Sequence, residues 1–151
     1  MKKILVSLML SALAMGASAG DAKLFPGSNC DAVYGSQVSS ISKINSGIIE
    51  NIGSSDVQIV CPMLTDITDQ GAINSSYIYV RPSQTKSLYC NAFSVSSNGA
   101  EGSAGAVATA GATVKKMVFA NNILNGAAAS RYFMTCNLNP GAQVIQYYYT
   151  E

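Results

Sequence analysis

The chain has 151 residues, of which 48% are hydrophobic and 11% are charged, and it contains no histidine. The lack of histidine excludes Ser-His-Asp triads, Cys-His dyads and His-ligated metal sites. Residues 20–151 carry seven basic side chains (9 − 2, because two lysines precede them) and eight acidic ones, and this net charge near −1 excludes the basic character of a nucleic-acid-binding protein.

Residues 1–19 have the pattern of a secretory signal peptide. Two lysines at 2–3 precede an apolar stretch over 4–15, and the small residues ASA at 17–19 form a cleavage site. The apolar stretch is too short for a transmembrane helix, and no second long apolar segment follows it. We therefore expect a bacterial periplasmic or secreted protein with one domain over 20–151 and no integral membrane segment after cleavage.

Short runs of β-branched and aromatic residues alternate with turn signals through the rest of the chain. This spacing predicts an all-β protein, an antiparallel β-sandwich of about seven to eight strands. The polar segment 65–75 and the Ser/Gly-rich segment 96–104 are predicted to be loops, and 105–110 is a weaker strand candidate. The predicted strands, in chain order, cover 37–44, 47–52, 57–62, 76–82, 86–95, 113–119, 129–138 and 143–150.

The four cysteines, Cys30, Cys61, Cys90 and Cys136, are predicted to form two disulfides, as an even number does in an exported chain. Three connectivities are open. We favour Cys30–Cys61, because Cys30 lies in an N-terminal segment that needs tethering. We favour Cys90–Cys136 because both lie midway along predicted strands in similar contexts, YCNAF and TCNLN. No C-x-x-C pair supports a zinc or redox site.

An acidic loop follows the third predicted strand and contains Asp66 and Asp69. Loop carboxylates can ligate Ca²⁺, but the D-x-x-D spacing lacks the regular ligand steps of an EF-hand. We expect no cofactor, with a calcium site at Asp66 and Asp69 as the alternative. The same two residues are candidates for ligand binding, whereas the simpler interpretation is a solvated loop that caps its own turns.

Three consecutive tyrosines at 147–149 lie near the C-terminus. Because side chains alternate along a strand, Tyr147 and Tyr149 share one side and Tyr148 faces the other. The sequence predicts a binding surface around Tyr147 and Tyr149, whose rings would stack on sugars or anchor a peptide. Ordinary packing of strand tyrosines is the alternative.

A shared pattern extends over four segments of the chain: GIIENIGSSDVQIVCPMLTD (47–66), IYVRPSQTKSLYCNAFS (78–94), ASRYFMTCNLNPG (129–141) and QYYYTE (146–151). These segments resemble small exported bacterial proteins that have four cysteines and no assigned function. The shared features are an Asn ahead of a V-x-C-P-type segment (IVCP here), a Y-x-x-x-C strand and an aromatic C-terminal strand ending in Glu. The resemblance implies a β-sandwich with two disulfides and supplies no activity; a basic residue expected near Thr65 is missing.

These observations favour a non-enzymatic exported binding or surface module whose partner is a glycan or a protein. A subunit that self-associates through an exposed strand edge and an inhibitor of a secreted enzyme are the alternatives. A hydrolase that uses paired carboxylates is disfavoured, because no acidic residue lies in a recognisable motif.

Overall fold

The structure, a computed structural model, describes residues 22–64, 73, 75–96, 99, 101–120 and 131–150. These residues form two antiparallel sheets and two short 3-10 helices, Gly27–Asn29 and Gly35–Ser40, so the predicted all-β antiparallel sandwich is confirmed. Within them, no helix has the length and apolar character needed to cross a membrane. The strands are β1 (Ala22–Pro26), β2 (Asp31–Ala32), β3 (Ile41–Ile44), β4 (Ile48–Asn51), β5 (Val57–Met63), β6 (Ser75–Arg81), β7 (Leu88–Val95), β8 (Glu101–Ala108), β9 (Lys115–Phe119), β10 (Arg131–Leu138) and β11 (Gln143–Thr150).

The first sheet, called sheet A here, has the strand order β3-β4-β11-β6-β9, and β1 also pairs with β11. Strand β11 is therefore the centre of the sheet. One of its edges pairs with β6 from Gln143 to Thr150. The other edge is divided, because β4 pairs with its first residues and β1 pairs with Gln146 to Thr150.

The second sheet, called sheet B, has the strand order β2-β5-β10-β7-β8 and contains both disulfides. Cys90 and Cys136 are directly opposite each other on β7 and β10 and are bonded. Cys30 immediately precedes β2 and is bonded to Cys61 on β5. These are the two pairs that the sequence favoured, and all four side chains are buried. Each disulfide therefore fastens neighbouring strands on the inner side of sheet B.

The core lies between the two sheets and follows the strand alternation. Along β5, β6 and β10 every second side chain is buried while its neighbours are more exposed, the pattern of strands with one face on a core. Sheet A supplies large buried residues such as Ile78 and Phe119, and sheet B supplies Ile59 and Met134. The outer faces of both sheets remain accessible.

Two segments differ from the sequence prediction. Residues 37–40, predicted as strand, belong to the 3-10 helix Gly35–Ser40, because pairing with β4 begins only at Ile41. The loop predicted for 96–104 is strand from Glu101 onward. Its small residues allow close approach: a Cβ on Gly105 would lie 2.5 Å from the hydroxyl oxygen of Tyr89 on β7.

Candidate functional site

The outer face of sheet A carries a cluster of tyrosines on adjacent strands. On β6, Tyr77 and Tyr79 are half-buried while the residues between and beside them are buried. Tyr148 on β11 is opposite Tyr77 in the register, and Lys116 on β9 is opposite Tyr79. We call this surface the tyrosine face; it comprises Leu24, Tyr77, Tyr79, Lys116, Gln146 and Tyr148.

A β-bulge determines which tyrosine of β11 faces outward. The pairing of β11 with β6 shifts between Val144 and Gln146, so Ile145 is an extra residue in the strand. Regular alternation from the buried Val144 would have turned Tyr148 inward. The extra residue reverses the alternation after it, as a one-residue slip does, and Tyr148 therefore joins the outer face.

The rings on this face are in direct contact. The rings of Tyr77 and Tyr148 stack with their centroids 4.4 Å apart and an interplanar angle of 17°. Tyr79 approaches Tyr77 edge-on at 5.5 Å and 88°. The ammonium of Lys116 lies 3.9 Å from the centroid of the Tyr77 ring, within the range of a cation–π contact. Tyr77 is thus held by contacts on three sides.

The pKa of the Tyr77 phenol is shifted upward by its surroundings. Burial raises the pKa of Tyr77 above its ordinary value of 10.0, and the nearby hydroxyls of Tyr79 and then Tyr148 raise it further. A tyrosine with an ordinary pKa already keeps its proton at neutral pH, so the Tyr77 hydroxyl can both donate and accept a hydrogen bond.

Polar side chains border the tyrosines at both ends of β6. Beyond Tyr79, Arg81 donates a hydrogen bond from Nη1 to Oε1 of Gln143 at 3.0 Å. Beyond Tyr77, the hydroxyls of Ser75 and Thr150 lie 3.0 Å apart. The face therefore combines aromatic rings with guanidinium, amide and hydroxyl groups.

A small cavity of about 260 Å³ adjoins the tyrosine face where β1 and β4 meet along the edge of β11. Its volume is slightly below the range of drug-sized ligand pockets and would accommodate one small ring or chain end. Gln146 and Leu24 belong to both the cavity and the tyrosine face. The cavity is lined by Leu24, Phe25, Pro26, Ser46, Ile145 and Gln146.

The predicted binding surface around Tyr147 and Tyr149 is wrong. Both side chains are 0% exposed, because the bulge at Ile145 turns them into the core. Phe25 of β1 stacks on both rings, at 5.3 and 5.7 Å. The Tyr149 hydroxyl donates to the carbonyl of Leu64 at 2.5 Å. These two tyrosines therefore pack in the core, and Tyr148 is the tyrosine of this run that lies on the outer face.

The other predicted binding residues, Asp66 and Asp69, lie outside the described residues, as does most of the loop 65–75. The calcium site proposed there therefore stays a prediction. In the part of the chain that the structure describes, no group of three His, Cys, Asp or Glu residues is placed to hold a metal ion.

Sequence reasoning missed Tyr77, Tyr79, Arg81 and Lys116 as possible site residues. The alternation in SYIYVR (76–81) is a usable signal, because it places both tyrosines and the arginine on one side of the strand. The sequence does not show which strands are neighbours, and only the pairing of β6 with β11 brings Tyr77 to Tyr148.

No protein-family model and no curated protein matches the chain. Among solved structures, the chain is similar to TmCBM61 in complex with β-1,4-galactotriose, with 11% identity over 89% of this chain and 90% of that one and a TM-score of 0.49. It is also similar to the C-terminal CBM6 of LamC, a marine laminarinase from Zobellia galactanivorans, with 9% identity over 87% and 100% of the two chains and a TM-score of 0.45.

Proposed function

We propose that this protein is a non-enzymatic, exported binding module that holds a glycan on the tyrosine face. The observation that carries the proposal is the outward cluster of three tyrosines on two paired strands. Tyr77 and Tyr79 are two residues apart on β6, and Tyr148 lies opposite Tyr77 on β11. Export is supported by the two buried disulfides, which are typical of oxidising compartments.

The chemistry of the tyrosine face suits a polyhydroxylated ligand. Aromatic rings offer apolar surface to the C–H groups of a sugar ring, and tyrosine adds a hydroxyl for hydrogen bonding. Gln146 adds an amide next to Tyr79 in the register. The centre of a protein–protein interface is typically depleted of lysine, whereas on this surface the ammonium of Lys116 lies on the ring of Tyr77.

The rigidity of the face also favours binding. The tyrosines stand on the central strands of sheet A, which are paired on both sides, so little conformational entropy remains to be lost when a ligand binds. The adjoining cavity at Leu24 and Gln146 would receive a chain end or a substituent. The proposal is of binding without catalysis. Glycosidases typically use a pair of carboxyl groups, whereas Glu50 is the one acidic side chain among the described residues that borders this face.

The test is a glycan array of plant, algal and microbial polysaccharides probed with the secreted protein, followed by calorimetric titration with oligosaccharides from the positive spots. Tyr77→Ala and Tyr148→Ala should each weaken binding roughly tenfold, which corresponds to the loss of one stacked ring, about 1.4 kcal/mol. Tyr34→Ala is the matched control, because Tyr34 is 55% exposed and lies outside the tyrosine face.

Two results would contradict the proposal. One is an array on which no glycan retains the folded protein. The other is a glycan whose affinity is the same for the wild type, Tyr77→Ala and Tyr148→Ala. Far-ultraviolet circular dichroism of each variant would establish that a loss of binding does not come from a loss of fold.

A further inference from the structure

We propose that the glycan held on the tyrosine face is acidic, and that its carboxylate or sulfate groups bind Lys116 and Arg81; this inference rests on the glycan binding proposed above. Both cations lie beside Tyr79. Lys116 is its cross-strand partner on β9, and Arg81 is two residues further along β6 on the same side. Such diagonal neighbours are about 7–8 Å apart at the backbone, but the ammonium of Lys116 extends toward Tyr77 and away from Arg81. Successive charged sugars of an acidic chain that crosses Tyr79 could therefore reach both cations.

Lys116 is positioned for a ligand and not for an internal partner. Its ammonium lies on the ring of Tyr77 at 3.9 Å from the centroid, and the side chain is exposed. The ion pairs among the described residues are Lys43–Asp31 and Lys86–Asp56, and neither includes Lys116. The contact with the ring orients the ammonium without neutralising its charge, which leaves its donors for an anion.

Arg81 has donors that the fold does not use. Its Nη1 bonds to Gln143, while its Nε is buried without a hydrogen-bond acceptor among the described residues. Burying an unpaired donor of a charged group is costly. Because Nε is buried, an acidic ligand would instead bind the outer nitrogens of the guanidinium, whose planar fork matches carboxylate and sulfate oxygens.

The charge of the face differs from that of the chain. Residues 20–151 are slightly acidic in total, yet the tyrosine face and its border carry Lys116 and Arg81 against Glu50. Glu50 is on β4, separated from Arg81 by β11, which places the two backbones roughly 10 Å apart. The local excess of positive charge complements an anionic ligand.

The test uses a panel of defined polysaccharides and the full secreted protein. Polygalacturonate and alginate carry carboxylates, carrageenan and dextran sulfate carry sulfates, and methyl-esterified polygalacturonate and dextran are their neutral counterparts. We expect the acidic polysaccharides to retain the protein. Esterified polygalacturonate and unsulfated dextran should not retain it. Raising the salt from about 0.1 M to about 1 M shortens the Debye length from about 10 Å to about 3 Å and should weaken binding several-fold.

Substitutions of charged residues test whether Lys116 and Arg81 bind the acidic groups of the polysaccharide. Lys116→Gln should weaken binding of the retained acidic polysaccharide about tenfold, as expected for one charge-assisted hydrogen bond, and Lys116→Arg should restore most of it. Arg81→Gln should weaken it similarly. Lys86→Gln removes one positive charge from an exposed turn outside the tyrosine face and should change affinity less than twofold.

The outcomes separate this inference from the proposed function. Binding of neutral glycans that depends on Tyr148 but not on Lys116 or salt would overturn the inference and leave glycan binding intact. Failure of every acidic and neutral glycan to bind would overturn both. Equal losses for Lys116→Gln and Lys86→Gln would mean that only the net charge matters, which would also overturn the inference.

Discussion

The hydroxyl of Tyr147 donates a hydrogen bond to the backbone carbonyl of Pro62 at 2.8 Å. Tyr147 belongs to β11 in sheet A and Pro62 belongs to β5 in sheet B, so the bond crosses the core and joins the two sheets. The parallel bond from Tyr149 to the carbonyl of Leu64 makes this a pair. Together they fasten the end of β5, next to Cys61, to the opposite sheet.

Tyr147→Phe should lower the free energy of unfolding by about 1 kcal/mol near neutral pH, the typical net contribution of one hydrogen bond. Urea unfolding of the variant and the wild type measures this loss. Tyr89→Phe is the control. Because the side chain of Tyr89 is 48% exposed, this variant should have almost the same free energy of unfolding as the wild type. An equal midpoint for Tyr147→Phe and wild type would mean that the bond across the core contributes no stability.

The pH dependence of stability should also change in Tyr147→Phe. Burial raises the pKa of Tyr147 well above its ordinary value of 10.0, and the nearby Tyr149 adds to this. The stability from this group is therefore fully present below pH 10, and it is lost as the pH rises above 10, where only the unfolded chain releases the proton. Urea unfolding at about pH 8 and about pH 11 should show that the free energy of unfolding falls more between these two pH values in the wild type than in Tyr147→Phe. Equal slopes would contradict the prediction.

Asn51→Ala should destabilise the fold by roughly 2–4 kcal/mol, because the side chain makes three hydrogen bonds at a buried site. Its Nδ2 donates to the carbonyls of Leu138 at 2.7 Å and Ser55 at 2.8 Å, and its Oδ1 accepts from the amide of Gly53 at 2.9 Å. Asn137→Ala, at an exposed position of β10, is the control. Similar urea midpoints for both variants would show that the three hydrogen bonds of the Asn51 side chain contribute no stability.

Gly27→Ala should destabilise the protein by about 1–3 kcal/mol, in the range of overpacked sites. A Cβ at residue 27 would lie 2.1 Å from the carbonyl oxygen of Val144, beside the bulge at Ile145, and backbone atoms cannot yield as a flexible side chain does. Gly35→Ala is the matched control, since nothing lies within 4 Å of its Cβ position. Thermal unfolding of both variants measures the difference, and a Gly27→Ala variant as stable as Gly35→Ala would disprove the close approach.

Removal of either disulfide, as Cys30→Ala with Cys61→Ala or as Cys90→Ala with Cys136→Ala, should cost about 3–4 kcal/mol. The two bonds close sequence separations of 31 and 46 residues, and this small difference predicts losses within about 1 kcal/mol of each other. Urea unfolding measures both. Mass spectrometry should show a gain of four hydrogens when the wild type is reduced, and a gain of none would contradict the two bonds.

The fold class could be predicted from the sequence because strands and turns leave signals in neighbouring residues. Alternation and turn residues report strand faces directly, which is why β5, β7, β10 and β11 lie close to their predicted positions. The N-terminal strands β1 and β2 escaped prediction. They are short, and their pairing partners, β11 and β5, are distant in sequence.

The sequence by itself determined that Tyr147 and Tyr149 share one side of a strand and that Tyr148 takes the other, because this follows from the pleat alone. Only the tertiary structure decided which side is the core. That choice depends on one extra residue, Ile145, in the pairing of β11 with β6, and a bulge arises from contacts between strands rather than from a local residue preference. The same long-range pairing brings Tyr77 to Tyr148, so the candidate site exists only once the two strands have met.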